Sequence, residues 1–196
     1  MRTIIGEKMK KTLLLAMLFA GLGSAPAFAA PYCSSSVGLG MAGDFKEPAL
    51  GNVYGVDSGF AINGAVGYDF SGLRAEAAVG YQENDFTNED NLHTSLLTVM
   101  ANGYYDLKTS VGIKPYVMAG LGIATIKADD SPGVAWLDDT YFAWQLGAGV
   151  GYKVSGNVTI DVGYRYVKPE GLECPNHLTD VTWESHNILA GIRYKF

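Results

Sequence analysis

Between Tyr141 and Val167 the chain alternates in steps of two, and this alternation constrains its fold more than any other feature. Phe142, Trp144, Leu146, Ala148, Val150, Tyr152 and Val154 alternate with Tyr141, Ala143, Gln145, Gly147, Gly149, Gly151 and Lys153. After Ser155-Gly156-Asn157, which reads as a turn, Val158, Ile160, Val162, Tyr164 and Tyr166 alternate with Thr159, Asp161, Gly163, Arg165 and Val167. A period of two belongs to strands, not helices. One face is large and apolar; the other is small, polar or charged. A soluble sheet seldom buries so many large side chains opposite a row of glycines. Turning the apolar face to lipid and the small face into a narrow barrel accounts for both.

The same alternation extends to eight predicted strands: Ser34–Ala42, Gly59–Phe70, Leu73–Gln82, Ser95–Leu107, Ile113–Ile126, Tyr141–Val154, Val158–Val167 and Ser185–Phe196. Charge provides an independent test. Asp69, Arg74, Glu76, Asp106, Lys114, Lys153, Asp161, Arg165, Arg193 and Lys195 all have inward parity. An Arg or Lys facing lipid at mid-membrane costs about 2–4 kcal/mol, whereas a soluble barrel would turn such charges outward to water. The expected fold is therefore all-β: an eight-stranded antiparallel up-and-down transmembrane β-barrel. Short connections at 71–72, 108–112 and 155–157 alternate with long ones near 43–58, 83–94, 127–140 and 168–184. Short turns belong on the periplasmic side and long loops outside, which puts both termini in the periplasm. Aromatic residues gather at both strand ends, as interfacial girdles do.

Ahead of these strands, Lys8, Lys10 and Lys11 precede an apolar run from Leu13 to Leu22 and then Ala27-Phe28-Ala29. That order marks residues 1–29 as a secretory signal and leaves 30–196 as the barrel domain. No later segment suits a membrane helix. The longest stretch without Asp, Glu, Lys or Arg, Asn91 to Tyr105, has 15 residues, against the roughly 20 apolar ones a span requires. The signal carries four basic residues and one acid, leaving 10 basic against 19 acidic, a net of −9. That balance argues against nucleic acid or other polyanions as partners.

Lys114-Pro115-Tyr116-Val117-Met118-Ala119-Gly120-Leu121-Gly122, Trp144 through Tyr152, Gly163-Tyr164-Arg165-Tyr166 and the final Arg193-Tyr194-Lys195-Phe196 resemble the small eight-stranded outer-membrane β-barrels of Gram-negative bacteria. That group contains the outer membrane protein A transmembrane domain and the opacity-type surface proteins of the porin family. The resemblance implies residence in the outer membrane, contact with its lipid and lipopolysaccharide, and recognition of the C-terminal Phe196 by the barrel assembly machinery. It implies a monomer with a structural or surface-interaction role and no cofactor. The peptidoglycan-binding domain of longer relatives is not expected, since the barrel runs to Phe196.

Inside the barrel, Glu76, Asp161 and Arg193 are expected at similar depth, with Arg74 below and Arg165 above. They would form a plug of salt bridges, because lone buried ions cost several kcal/mol each. A narrow small-solute or ion pore is the alternative; a wide channel is not, since side chains just fill eight strands. A lipid A-modifying enzyme, the second alternative, would need a Ser/His pair. Ser185 and His186 are adjacent, next to Glu184, but adjacent strand residues face opposite ways and cannot share a proton. The four long connections hold 15 acids against Lys46, Lys127 and Lys168, a net of −12. Among them Glu89, Asp90, Asp129, Asp130, Asp138 and Asp139 are the candidate ligands for a shallow divalent-cation site, carboxylates being hard oxygen donors. Cys33 and Cys174 sit at opposite ends of a strand on the order of 25–30 Å long, too far apart for a disulfide.

Overall fold

The computed structural model describes residues 29–43, 45–47, 52–54, 58–85, 92–109, 112–130, 134–173, 180–181 and 183–196. Eight strands close a barrel: β1 (Ala30–Ala42), β4 (Ser58–Asp69), β5 (Leu73–Asp85), β6 (Leu92–Asp106), β7 (Ile113–Asp130), β8 (Val134–Lys153), β9 (Val158–Glu170) and β12 (Ser185–Lys195). Every neighbouring pair is antiparallel, and β1 completes the ring by lying between β4 and β12. Two small hairpins, β2 (Phe45–Glu47) with β3 (Asn52–Tyr54) and β10 (Leu172–Glu173) with β11 (Asp180–Val181), lie in the long connections. No helix occurs among the described residues.

Alternation carries each side chain to its expected face. Leu39, Leu121, Phe142, Tyr152, Ile188 and Ile192 are each more than half exposed on the outer wall, while Arg74, Glu76 and Arg193 are below 10 %. In a bilayer that exposure is contact with lipid. Among the described residues no helix is long and apolar enough to cross a membrane, and crossing by strands satisfies every backbone group within the closed ladder.

One end of the barrel is built from tight turns. At the first, Phe70 N–H donates to Leu73 O at 2.7 Å. Ser71 (φ 65°) and Gly72 (φ 123°) supply the left-handed backbone that a two-residue hairpin turn requires. The Asp69 carboxylate accepts from the Ser71 amide at 2.9 Å, which stabilises Ser71 in a conformation a non-glycine residue rarely adopts. The first and last barrel strands meet here, with Phe196 N–H donating to Pro31 O at 3.0 Å.

The other end differs from expectation. The connection foreseen at 127–140 is mostly strand: β7 and β8 continue as a ladder in which Lys127 pairs Asp138 and Ile126 pairs Asp139, with a register shift at Ala128/Asp129. β5 likewise runs on to Asp85 and β9 to Glu170, while β1 starts four residues before the expected Ser34. Apolar alternation stops where the bilayer stops, but backbone pairing does not depend on it.

Candidate functional site

The lumen is the site that can be described in full. Nearest the turns, Lys195 Nζ donates to Asp69 at 3.0 Å. Just above, Arg74 grips Asp106 through Nε and Nη2 at 2.8–3.1 Å, and Arg193 grips Asp161 at 3.0 and 3.2 Å. Arg193 also reaches Asp106 at 3.9 Å, which joins the two pairs. Two-pronged pairing of this kind is the strong form of ionic hydrogen bonding. The Arg74 guanidinium lies over the Tyr104 ring, 4.1 Å from its centre, and near Tyr116.

Glu76 departs from the expected salt-bridge layer. Its carboxylate accepts from Tyr104 Oη at 2.8 Å, Tyr32 Oη at 3.0 Å, Asn102 Nδ2 at 3.2 Å and Ser34 Oγ at 3.4 Å. Among the described residues it forms no ion pair; neutral donors solvate it, and Arg74 contributes at one remove through the Tyr104 ring. Barrel strands are tilted and staggered, so residues counted equally from their strand ends do not meet at one level. That is why Glu76 is separated from the Asp161–Arg193 pair. Arg165, expected above the layer, donates to Asn63 Oδ1 at 3.1 Å.

Higher up, amides and hydroxyls predominate, with Arg165 among them. Asn102 accepts from Gln145, Gln82 donates to Asn84 at 2.7 Å, and Asn84 donates to Gly40 O at 2.8 Å. Ser185 Oγ donates to Gln82 at 2.8 Å and itself accepts from Asn187 at 3.2 Å. Beside this network and beyond it lies an apolar lid of Ala42, Leu96, Met100, Ala124, Ile126, Ala143 and Trp183, with Tyr141 against it; Leu96 is paired with Gln82 and Ala42 with Ser185. Small polar cavities interrupt the filling. One of about 60 Å³ lies among Glu76, Asp161 and Arg165, and one of about 20 Å³ lies among Arg165, Gln82 and Asn187.

Outside, at the lid end, an aromatic and acidic band encircles part of the wall. Trp144 Nε1 donates to Glu170 at 2.7 Å and Tyr166 Oη to Glu184 at 2.6 Å. His186 Nδ1 and Tyr164 Oη are 2.5 Å apart, and Glu184 lies 3.9 Å from His186 Nε2. Ser185, fully buried, faces the lumen, while its neighbour His186 faces this band, so the pair shares no proton. Because β9 is longer than expected, Lys168 and Glu170 join Glu83 as charged residues with outward parity; they lie at the rim of the wall, beyond its apolar belt.

Of the candidate cation ligands, Glu89 and Asp90 lie outside the described residues. Asp129 and Asp130 end β7, Asp138 and Asp139 lie on β8, and Asp139 is exposed. Among the described residues no group of three or more His, Cys, Asp or Glu is arranged to hold a metal ion. Cys33 is half-buried on β1 without a disulfide, and Cys174 lies outside the described residues. Phe196 is 70 % exposed and packs edge-on against Tyr194. Tyr32, Tyr104 and Trp183 were not singled out from the sequence as interior groups. Inward parity marks Tyr104, whereas Trp183 lies in no periodic segment.

The sequence model of the Outer membrane protein beta-barrel domain matches residues 13–196. The chain belongs to this family. Outer membrane protein PagN of Salmonella typhimurium strain LT2 is 27 % identical over 202 aligned residues, covering 74 % of this chain and 84 % of that protein. Among solved structures, Neisserial surface protein A superposes with a TM-score of 0.65 at 25 % identity, covering 86 % of this chain and 99 % of that one. Ail, the attachment invasion locus protein of Yersinia pestis, solved in complex with the heparin analogue sucrose octasulfate, shares the fold, with a TM-score of 0.51 at 17 % identity. These relatives are outer-membrane proteins of Gram-negative bacteria.

Proposed function

We propose that this barrel is a non-catalytic surface protein of the outer membrane, with a lumen closed to solutes, whose long connections are the part that meets the surroundings. The observation that carries this reading is the filling of the lumen by two guanidinium–carboxylate pairs, a hydrogen-bond network of amides and hydroxyls and an apolar cluster packed against that network. Residues 1–29 direct export and are removed, and the assembly machinery reads Phe196. The tight turns and both chain ends face the periplasm; the β7–β8 ladder and the acidic connections project outward. The aromatic band around Trp144, Tyr164, Tyr166 and His186 sits at headgroup level against lipopolysaccharide. The net −12 of those connections disfavours polyanionic partners, whatever the shared fold with Ail.

Planar-bilayer recording of the purified, refolded barrel tests the closed lumen, and the expected trace has no unitary steps. Reproducible conductance steps that persist after repurification would replace this reading with that of a narrow pore. Protease added to intact cells should cut within 83–94 or 168–184 and spare 71–72 and 155–157; the reverse pattern would invert the orientation.

A further inference from the structure

The turn end of the lumen opens into a polar cavity of about 70 Å³, separate from the cavities higher in the barrel and lined by four cations and two acids. The cations are Lys114, Lys153, Arg193 and Lys195; the acids are Asp69 and Asp106. Both acids are already engaged. Asp69 accepts from Lys195 at 3.0 Å and from the Ser71 amide at 2.9 Å. Asp106 is held by both prongs of Arg74 and approached by Arg193. Arg193 in turn is occupied by Asp161. That leaves Lys114 and Lys153, which lie on neighbouring strands β7 and β8 with inward parity; Lys114 pairs Gly151, two residues from Lys153. Among the described residues neither side chain forms an ion pair or a hydrogen bond.

Two ammonium groups thus share one mouth without a counter-charge from the chain. Each offers three donors. With four cations against two acids the lining is net positive, and low-dielectric protein walls concentrate that field on the space between. Divalent cations are repelled from such a mouth, and a small anion relieves the repulsion between the lysines. The space is open on the turn side, since a side chain begun at Gly156 would meet nothing within 4 Å. We propose that this mouth is an anion-binding site in which Lys114 and Lys153 hold a small soluble oxyanion, a phosphate or a carboxylate. The site does not depend on which side of the membrane the turns face or on whether the lumen conducts. The same oxyanion chemistry could come from the headgroup of an anionic phospholipid, but both lysines point into the barrel and away from the lipid-facing wall, which favours a soluble source.

The test is a titration of the isotope-labelled full barrel, refolded in a neutral maltoside detergent, with inorganic phosphate at constant ionic strength, followed by amide resonances. The expected result is a saturable shift at Lys114, Gly151, Lys153 and Gly156, with half-saturation on the order of millimolar. Lys114→Gln/Lys153→Gln should weaken it about tenfold or more, the loss expected for two charge-assisted contacts. Lys108→Gln, an exposed rim lysine outside the cavity, should leave it unchanged. Both lysine sites are exposed, so the double variant should fold, and the dispersion of its remaining resonances reports whether it does. An equal shift with chloride, or an undiminished shift in the folded double variant, would overturn the proposal. A shift that appears only in nanodiscs containing phosphatidylglycerol, and not with phosphate, would reassign the chemistry to a headgroup and overturn the soluble source.

Discussion

Glu76 offers the sharpest check on how the interior is held together, because its carboxylate is stabilised by hydroxyl and amide donors in place of a paired cation. Consider Glu76→Ala. The two short contacts, from Tyr104 at 2.8 Å and Tyr32 at 3.0 Å, dominate. A hydrogen bond to a charged group is worth about 1.5–3 kcal/mol, and a buried donor left without an acceptor costs about 1–3 kcal/mol. Removing the carboxylate orphans two buried tyrosine hydroxyls and one Asn102 amide hydrogen, a gross loss of about 3–6 kcal/mol on the two short bonds alone. Two effects offset it. The protein no longer desolvates an ion, and the adjoining cavity of about 60 Å³ has room for waters that satisfy the orphaned donors. The expected net loss is about 2–4 kcal/mol. The assay is urea unfolding of the barrel in lipid vesicles, read by tryptophan fluorescence and by the mobility of unboiled protein in gels.

The double-mutant cycle decides the cause. Tyr104→Phe in the wild-type background should cost about 1.5–3 kcal/mol. In the Glu76→Ala background it should cost close to nothing, a coupling of about 1.5–3 kcal/mol. A Glu76→Ala barrel within about 0.5 kcal/mol of wild type, the usual range for inconsequential sites, would refute the reasoning. So would a Tyr104→Phe cost that is the same in both backgrounds.

Two further outcomes follow from the walls of the barrel. A Cβ at Gly163 would lie 2.5 Å from Tyr116 Oη, with its next contact at 3.2 Å, so Gly163→Ala should cost about 1–3 kcal/mol by overpacking; adding Tyr116→Phe should recover most of it in the same urea assay, and a failure to recover would place the strain elsewhere. Leu121 is 59 % exposed on the lipid-facing wall, so Leu121→Arg should cost about 2–4 kcal/mol in vesicles; a cost near zero would mean that this face does not meet hydrocarbon.

Much of this was legible in the chain because a period of two leaves little choice of face. The inward parity of Arg74, Glu76, Asp161, Arg165 and Arg193 could be read directly, and all five line the interior cavities. Partner choice could not be read. Whether Glu76 meets Arg193 or the hydroxyls of Tyr32 and Tyr104 depends on the stagger between strands that are distant in sequence, and stagger leaves no mark on any single strand. The strand ends misled for a different reason. Beyond Ile126 and Tyr141 the pattern turns acidic, as a loop would, yet the β7–β8 ladder persists because hairpin pairing depends on backbone groups whatever the side chains. Trp183 was hidden altogether: it follows a connection with no periodicity, and its burial within the lid is a tertiary event.

The order of materials along the axis favours a closed barrel over a pore. A pore needs polar groups, or water, at every level. From the turns upward the axis meets the lysine-lined mouth, then two coupled ion pairs, then amides and hydroxyls with Arg165 and Leu96 among them, and Ile126 and Trp183 in the apolar cluster packed against that layer. An ion that passed the paired guanidiniums would still have to shed its hydration among apolar side chains, and constrictions of that kind exclude water. The charged layers are also the wrong place to economise. Replacing one partner of Arg193–Asp161 leaves a lone buried ion, which is costlier than keeping both. The pairs therefore persist as scaffold whether or not anything passes, and the chemistry left free to meet other molecules is at the two ends of the barrel: ammonium groups at the turn end, and carboxylates with aromatic rings at the lid end.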